Sequence, residues 1–245
     1  MKKFTSEREI EDRLIAQLVA GESQWTYRPD LTTEASLWEN FRTILERNNL
    51  AILDGKPLTD GEFRRVKTQL QFSNFFDAAK WLSGENGIAK VEVNREDASL
   101  GTIRLNVIHR DHIAGGNTVY EVVNQFTADK QESIDRNRVF DVTLLINGLP
   151  MIHIELKNRQ HPFMDGFRQI QKYLKEGKFT GIYSTLQMFV VSNASDTRYI
   201  AAAQFEKLNA KFLSKWVTAE NQPVNDYIKF AENVLSIPAA HRMVM

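Results

Sequence analysis

The segment around Asn147-Gly148 constrains the fold of this chain more than any other. Residues 139–146 and 150–157 alternate apolar and polar side chains with a period of two, which is typical of β-strands. Asn-Gly between two such runs is a strong turn signal, so the sequence predicts a β-hairpin. Because one alternating set is apolar on both strands, that set must face a core. The polar set is then held rigidly on the other face.

The polar face of this hairpin carries side chains that suit phosphate chemistry. It is formed by Asp141, Thr143, His153, Glu155 and Lys157. A magnesium ion prefers one or two carboxylates, with water and substrate phosphate in its other positions. An ion held by Asp141 and Glu155 would polarise a phosphoryl oxygen and lower the pKa of a bound water. Lys157 projects the same way and would orient that water or offset charge on the phosphate. A Glu-x-Lys motif alone usually lies on a solvated strand face. The presence of Asp141 upstream, on the same hairpin, favours a catalytic site.

The register of the hairpin is a separate question. A two-residue type I′ turn at Asn147-Gly148 would put Asp141 and Glu155 on opposite faces of the sheet. The apolar alternation requires the reverse, because a one-residue slip would expose a whole hydrophobic face. We therefore expect an odd-numbered loop or a β-bulge near residues 146–150, with Gly148 at positive φ. Asp141 would then lie opposite or diagonal to Glu155, roughly 4.5–8 Å away.

The remaining periodicity predicts an α/β fold with a mixed central sheet flanked by helices, mostly antiparallel at its front. We expect one domain over residues 1–205, with residues 206–245 as a helical tail. Predicted helices cover residues 6–20, where Ser6 and Glu9 form a capping box, 34–48, 61–82, 163–176 and a segment after Pro223. Predicted strands outside the hairpin cover 88–94, 101–109, 117–126, 187–193 and 197–203.

Composition excludes several classes of protein. The 245 residues include no cysteine, so disulfides and thiolate zinc sites are excluded and a reducing cytoplasm is the expected location. Thirty-one basic and 31 acidic residues give no net charge, so any nucleic-acid surface must be local. No apolar run approaches the ~18 residues that a membrane span needs.

The motifs of the hairpin and of the helix after it resemble a known family. Asp141 is followed by Asn147-Gly148-Leu149-Pro150 and then by Ile154-Glu155-Leu156-Lys157-Asn158. A Gln-x-x-x-Tyr motif stands at Gln169 and Tyr173 in the next predicted helix. This set resembles the nuclease domain of the R (HsdR) subunit of type I restriction-modification enzymes, in the PD-(D/E)xK superfamily. Phe140 stands where the superfamily name has proline, a position that varies among such enzymes.

The resemblance implies a restriction-endonuclease-like fold and a magnesium-dependent endonuclease acting on double-stranded DNA. It makes Asp141 and Glu155 the metal ligands and Lys157 the catalytic lysine. It also implies modification and specificity subunits as partners, and an ATP-driven motor elsewhere in the full-length subunit. The chain has no Gly-x-x-x-x-Gly-Lys-Ser/Thr loop, so we expect a fragment that ends before the motor. The alternative is a non-cleaving DNA-holding or assembly module, against which the intact Asp, Glu and Lys set argues.

Several other residues are candidates with plainer alternatives. Gln169 and Tyr173 lie one helical turn apart and would steady the site or contact the DNA backbone, or simply pack. Glu7 and Glu11 would lie near the metal, or on a solvated face. His153 would touch the site, lie behind a ligand, or be exposed. A further set is either a phosphate-binding surface or an ordinary solvated face: Arg159, Arg168, Lys172, Lys175 and Lys178. The run from His109 to His112 and Gly115-Gly116 fit turns better than sites.

Overall fold

The computed structural model describes residues 5–20, 24–113, 115–129 and 137–245. Its centre is a six-stranded mixed sheet in the order β1-β4-β5-β6-β7-β8, flanked by helices. The strands are β1 (Thr26–Tyr27), β4 (Tyr120–Ala128), β5 (Arg138–Ile146), β6 (Leu149–Leu156), β7 (Met188–Ser192) and β8 (Thr197–Ala201). The α/β fold with a mixed, helix-flanked sheet is therefore confirmed, and it is consistent with a restriction-endonuclease-like architecture.

Along the sequence, helices come before, between and after the strands of this sheet. They are α1 (Glu7–Ala20), α2 (Glu34–Asn48), α3 (Leu50–Leu53), α4 (Asp60–Gln69), α5 (Phe75–Ser83), α6 (Phe163–Lys175), α7 (Tyr227–Val234) and α8 (Ile237–Val244). The capping box of α1 is confirmed, because Ser6 N donates to Glu9 Oε2 at 2.7 Å and Glu9 N donates to Ser6 Oγ at 3.2 Å. Short 3-10 helices cover Ala98–Leu100, Gly181–Thr185 and Ala210–Phe212.

The single helical stretch expected over residues 61–82 is wrong, because the chain breaks between α4 and α5. Asn74 caps α5 by accepting a hydrogen bond from Asp77 N at 2.9 Å. Just before it, Phe72 N donates to Ser184 Oγ at 3.1 Å rather than to a helical carbonyl. Capping and a tertiary hydrogen bond therefore override a continuous apolar periodicity.

The antiparallel meander expected at the front is also wrong in part. The strands β2 (Ile88–Asn94) and β3 (Thr102–His109) pair antiparallel as a two-stranded sheet of their own. The side chain of Asn49 pairs with both backbone groups of Asn106, accepting from its N at 2.8 Å and donating to its O at 2.9 Å. A side-chain amide thus takes the place of a neighbouring strand at that point of β3.

The central hairpin contains both a tight turn and a bulge. Asn147 and Gly148 both have positive φ, 50° and 78°, and Ile146 pairs with Leu149 across them, as in a two-residue type I′ turn. Leu145 then pairs with Pro150 and Leu144 with Ile152, so Met151 is an extra residue. Of the two alternatives expected near residues 146–150, an odd-numbered loop or a bulge, the bulge is confirmed, and Gly148 has the expected positive φ. The bulge restores the register in which Val142 pairs with Ile154.

Residues after 205 pack back on the earlier part of the chain. They include the short antiparallel pair β9 (Trp216–Val217) and β10 (Pro223–Val224) besides α7 and α8. The indole N–H of Trp25 donates to Leu235 O at 2.9 Å, and Tyr120 Oη lies 2.8 Å from His241 Nδ1. The predicted boundary near residue 205 stays a prediction. Within the described ranges, no helix has the length and apolar character needed to cross a membrane.

Candidate active site

Asp141 and Glu155 meet at the open end of the central hairpin. Because Val142 pairs with Ile154, continuing this register by one residue places Asp141 beside Glu155 on the same face. Asp141 Oδ2 accepts a hydrogen bond from Leu156 N at 2.7 Å, which fixes the carboxylate against β6. Glu155 is fully buried, as is every residue of β6. The bulge at Met151 therefore brings the two carboxylates together.

Burial disfavours the charged form of both carboxyl groups. Burial, and then repulsion by Glu155, raises the pKa of Asp141 to about 7. Burial likewise raises the pKa of Glu155 to about 7, against the opposing effect of Lys157. The pair therefore exchanges protons as a unit near neutral pH. A cation held between the two carboxylates would offset their buried negative charge in place of a proton. This donor set therefore fits a hard divalent ion.

Lys157 lies beside the pair, where it donates hydrogen bonds to two oxygens and forms a longer ion pair with Glu7. Its Nζ is 3.3 Å from Glu155 Oε1, 3.0 Å from Leu156 O and 4.0 Å from Glu7 Oε2. Glu7 also accepts a hydrogen bond from Asn158 N at 3.3 Å through Oε1. The first turn of α1 thus closes the site on the side of Lys157, and an ammonium group lies within reach of a phosphate bound at the carboxylates.

Glu11 lies one turn further along α1 and is buried. Its oxygens accept hydrogen bonds from Asn124 Nδ2 at 2.5 Å and Gln125 Nε2 at 2.8 Å. Burial raises the pKa of Glu11, and the charge of Asp141 raises it further, so the two carboxylates are neighbours. The structure therefore brings both α1 glutamates to the site and excludes a solvated face for Glu11.

Gln125 is a feature of the site that the sequence did not reveal. It lies opposite Asp141 in the β4–β5 register, between the pairs Asn124–Val142 and Phe126–Phe140. Its φ is 52°, a left-handed conformation that costs roughly 1–2 kcal/mol for a residue with a side chain. Such strain is concentrated at functional sites. In the sequence, Gln125 is a polar residue of an alternating strand, and that pattern does not predict a left-handed backbone conformation.

His153 lies behind Glu155 and is fully buried, so the exposed alternative is wrong. Its Nε2 is 3.3 Å from Glu155 Oε2. The contact is not an ion pair, because burial lowers the pKa of His153 to about 4 and the ring is neutral. On the other side, Nδ1 lies 3.4 Å from Thr143 Oγ1.

Comparison with known families gives this geometry a context. The sequence model of the type I restriction enzyme R protein N terminus matches residues 4–208, which include α1, the hairpin and α6. The chain belongs to this family. Asp141, Glu155 with Lys157, and Gln169 with Tyr173 all lie within the matched residues.

Named relatives of this R-protein domain are endonuclease subunits. The chain is 32% identical over 232 residues to a type I restriction enzyme endonuclease subunit of Staphylococcus aureus strain COL, covering 95% of this chain and 23% of the relative. It is 31% identical over 232 residues to one from Staphylococcus saprophyticus, with the same coverage. It is 30% identical over 234 residues to the EcoprrI endonuclease subunit of Escherichia coli, covering 94% of this chain and 69% of the relative. The chain thus spans about a quarter of its staphylococcal relatives.

Tyr173 of the Gln-x-x-x-Tyr motif reaches from α6 to β5. Gln169 Nε2 donates to Tyr173 Oη at 2.5 Å, and Tyr173 donates to Val139 O at 3.2 Å, two residues before Asp141. Tyr173 is buried, and burial followed by the charge of Glu155 raises the pKa of its hydroxyl. The motif is therefore directed toward the carboxylates, and contact with DNA stays a prediction.

The predicted basic surface is only partly available. Lys178 is buried and its Nζ donates to Asp129 O at 2.9 Å, so it supports the fold and is removed from that surface. Lys175 lies over the ring of Phe205, with Nζ 4.3 Å from its centroid. Arg168 pairs with Asp165 at 2.8 Å on the surface of α6.

His109, the last residue of β3, and His112 lie on either side of a turn, as expected. The rings of His109 and His112 stack with centroids 3.7 Å apart. Across the described part of the chain, no group of three or more His, Asp or Glu side chains is arranged as a metal site. Two carboxylates, with water and phosphate, nevertheless suffice for magnesium.

Proposed function

We propose that this domain is a magnesium-dependent endonuclease that hydrolyses DNA phosphodiester bonds as part of a type I restriction enzyme. The observation that carries the proposal is the convergence of Asp141, Glu155 and Lys157 on one rigid hairpin, with α1 closing its edge. The names of the relatives support a nuclease subunit. Sequence recognition would come from partner subunits.

Each residue has a distinct part in this proposal. Asp141 and Glu155 would hold Mg²⁺, which supplies charge neutralisation at the phosphate and an acidified water. The Leu156 N–H orients Asp141 through its 2.7 Å hydrogen bond. Lys157 would place its ammonium against the scissile phosphate or the attacking water. Tyr173 and Gln169 brace β5 just before Asp141, and Glu11 adds negative charge beside it.

The partners follow from the subunit type. We propose that the substrate is double-stranded DNA, that modification and specificity subunits complete the complex in the cytoplasm, and that ATP serves a motor region of the full-length subunit. The alternative, a non-cleaving DNA-holding or assembly module, has no observation in its favour. It would leave two buried carboxylates with raised pKa values and no cation to offset their charge.

Cleavage by the complete enzyme tests the proposal. Asp141→Ala and Glu155→Ala should each abolish magnesium-dependent cleavage while DNA binding is retained, because either change empties the same metal site. The double variant should be no worse than either single one. Glu39→Gln, at an exposed position of α2, is the control and should cleave normally. Multiplicative losses in the double variant, or normal cleavage in either single one, would contradict a shared metal.

A further inference from the structure

The contact between His153 and Glu155 joins two polar atoms that are otherwise unsatisfied. His153 Nε2 and Glu155 Oε2 are both buried, and neither has a hydrogen-bond partner among the described residues. They lie 3.3 Å apart, close enough for a hydrogen bond, although the present geometry does not form one. Buried polar groups are normally satisfied, so these two atoms are each other's natural partners.

A chain of hydroxyl groups sets the direction of this contact. Tyr183 donates its proton to Thr143 Oγ1 at 3.3 Å. Thr143 Oγ1 lies 3.4 Å from His153 Nδ1, so its own proton is available for that nitrogen. A neutral imidazole that accepts at Nδ1 carries its hydrogen on Nε2. The chain Tyr183–Thr143–His153 therefore places the ring hydrogen on Nε2, the nitrogen that lies 3.3 Å from Glu155 Oε2.

Aromatic rings hold the imidazole in place. The ring centroid of His153 lies 4.9 Å from that of Phe140, 5.2 Å from Phe179 and 6.3 Å from Phe189. Both Phe140 and Phe189 are fully buried. This packing leaves the ring little freedom to turn its nitrogens elsewhere, so the orientation of Nε2 is built into the core.

We propose that His153 is a positioning residue that ties down Oε2 of Glu155 and leaves Oε1 as the single oxygen offered to the divalent ion. Oε1 is the oxygen that faces Lys157, at 3.3 Å. Magnesium accepts such one-oxygen ligation in a strict octahedron, whereas calcium readily takes both oxygens of a carboxylate. His153 thus biases the site toward the smaller ion. The inference rests on the proposed function, because it assumes that Glu155 ligates a metal.

Calorimetric titration of the whole chain with MgCl₂ and with CaCl₂ tests this without relying on cleavage. His153→Phe fills the aromatic pocket but has no N–H, so magnesium affinity should fall about 10–100-fold, the usual effect of losing a partner of a metal ligand. Calcium affinity should fall less, because Glu155 is then free to bind with both oxygens. His153→Gln can present an N–H near the position of Nε2 and should restore most of the preference, whereas His153→Asn should not.

The outcomes separate the two proposals. If wild-type protein binds neither ion, or if binding survives Asp141→Ala and Glu155→Ala, the metal site of the proposed function fails and this inference with it. If binding depends on both carboxylates but His153→Phe lowers the two affinities equally, only the positioning role is refuted. If His153→Phe does not fold, equal affinities of the Gln and Asn variants would refute it.

Discussion

Replacing Asp141 by asparagine should stabilise the metal-free protein at alkaline pH while removing metal binding. The folded protein raises the pKa of Asp141 from its ordinary 3.8 to about 7, mainly by burial and then by the charge of Glu155. Each pKa unit corresponds to about 1.4 kcal/mol, so ionised Asp141 costs at most about 4 kcal/mol. Proton sharing with Glu155 and partial access to solvent reduce this to roughly 1–3 kcal/mol.

The sign follows from the raised pKa. The stability associated with neutral Asp141 is fully present below about pH 4 and is lost as the pH rises through about 7. Asparagine does not ionise, and its amide oxygen can still accept the hydrogen bond from Leu156 N. The advantage of Asp141→Asn over wild type should therefore be small at pH 4.5 and largest at pH 8.5.

Urea denaturation in the presence of EDTA measures this difference. The free energy of unfolding of Asp141→Asn should exceed that of wild type by roughly 1–3 kcal/mol at pH 8.5, and added Mg²⁺ should stabilise only wild type. Glu39→Gln, an exposed substitution on α2, is the control and should show no such pH-dependent gain. A loss of stability in Asp141→Asn at both pH values, or a gain independent of pH, would refute the electrostatic account of the site.

Three further predictions concern residues around the carboxylates. Lys157→Ala should abolish cleavage by the complete enzyme with little change in melting temperature or DNA binding, because the side chain lies at the site surface, 13% exposed; a drop of many degrees would argue for a structural role. Gly148→Ala should cost about 2–4 kcal/mol in chemical denaturation, because φ is 78° and the new Cβ would lie 2.9 Å from Phe41 Cα. Gly177→Ala, also at positive φ but with open space around it, is the matched control and should cost about 1–2 kcal/mol. Tyr173→Phe should lose about 1 kcal/mol of stability with its 3.2 Å hydrogen bond and should reduce cleavage less than Lys157→Ala; unchanged stability would mean that the hydroxyl does not brace β5.

The hairpin shows how far the sequence alone could lead. Alternation of apolar residues predicted that Asp141 and Glu155 share a face, and Asn147-Gly148 predicted a tight turn. These two signals conflict unless an extra residue is inserted, and the structure satisfies both through the bulge at Met151. Burial fixes register more strongly than turn geometry does, which is why the periodicity was sufficient to place the two carboxylates.

Other parts of the site depend on contacts that no local pattern records. Glu11 is buried because Asn124 and Gln125 satisfy it from β4, more than 110 residues away in sequence. His153 was ambiguous because alternation separates the two faces of a strand but does not tell whether the polar face is covered. In this fold both faces of β6 are covered, so every one of its residues is buried.

The same limit applies to the pairing of strands. The short edge strand β1 pairs parallel with β4, and two residues are too few to leave a periodic signal. The β2–β3 hairpin forms a sheet of its own, and the side chain of Asn49 pairs with the backbone of Asn106 on β3. Such tertiary hydrogen bonds decide which strands become neighbours, whereas periodicity decides only that strands exist.

Anomalous diffraction from crystals of this chain grown with MnCl₂ tests the central claim most directly. Manganese is an oxygen-preferring stand-in for magnesium whose position can be identified unambiguously. We predict an anomalous peak contacting both Asp141 and Glu155, with Lys157 beside it, and no such peak in Glu155→Ala crystals. Full occupancy elsewhere on the molecule with none between these carboxylates would contradict the assignment of the site.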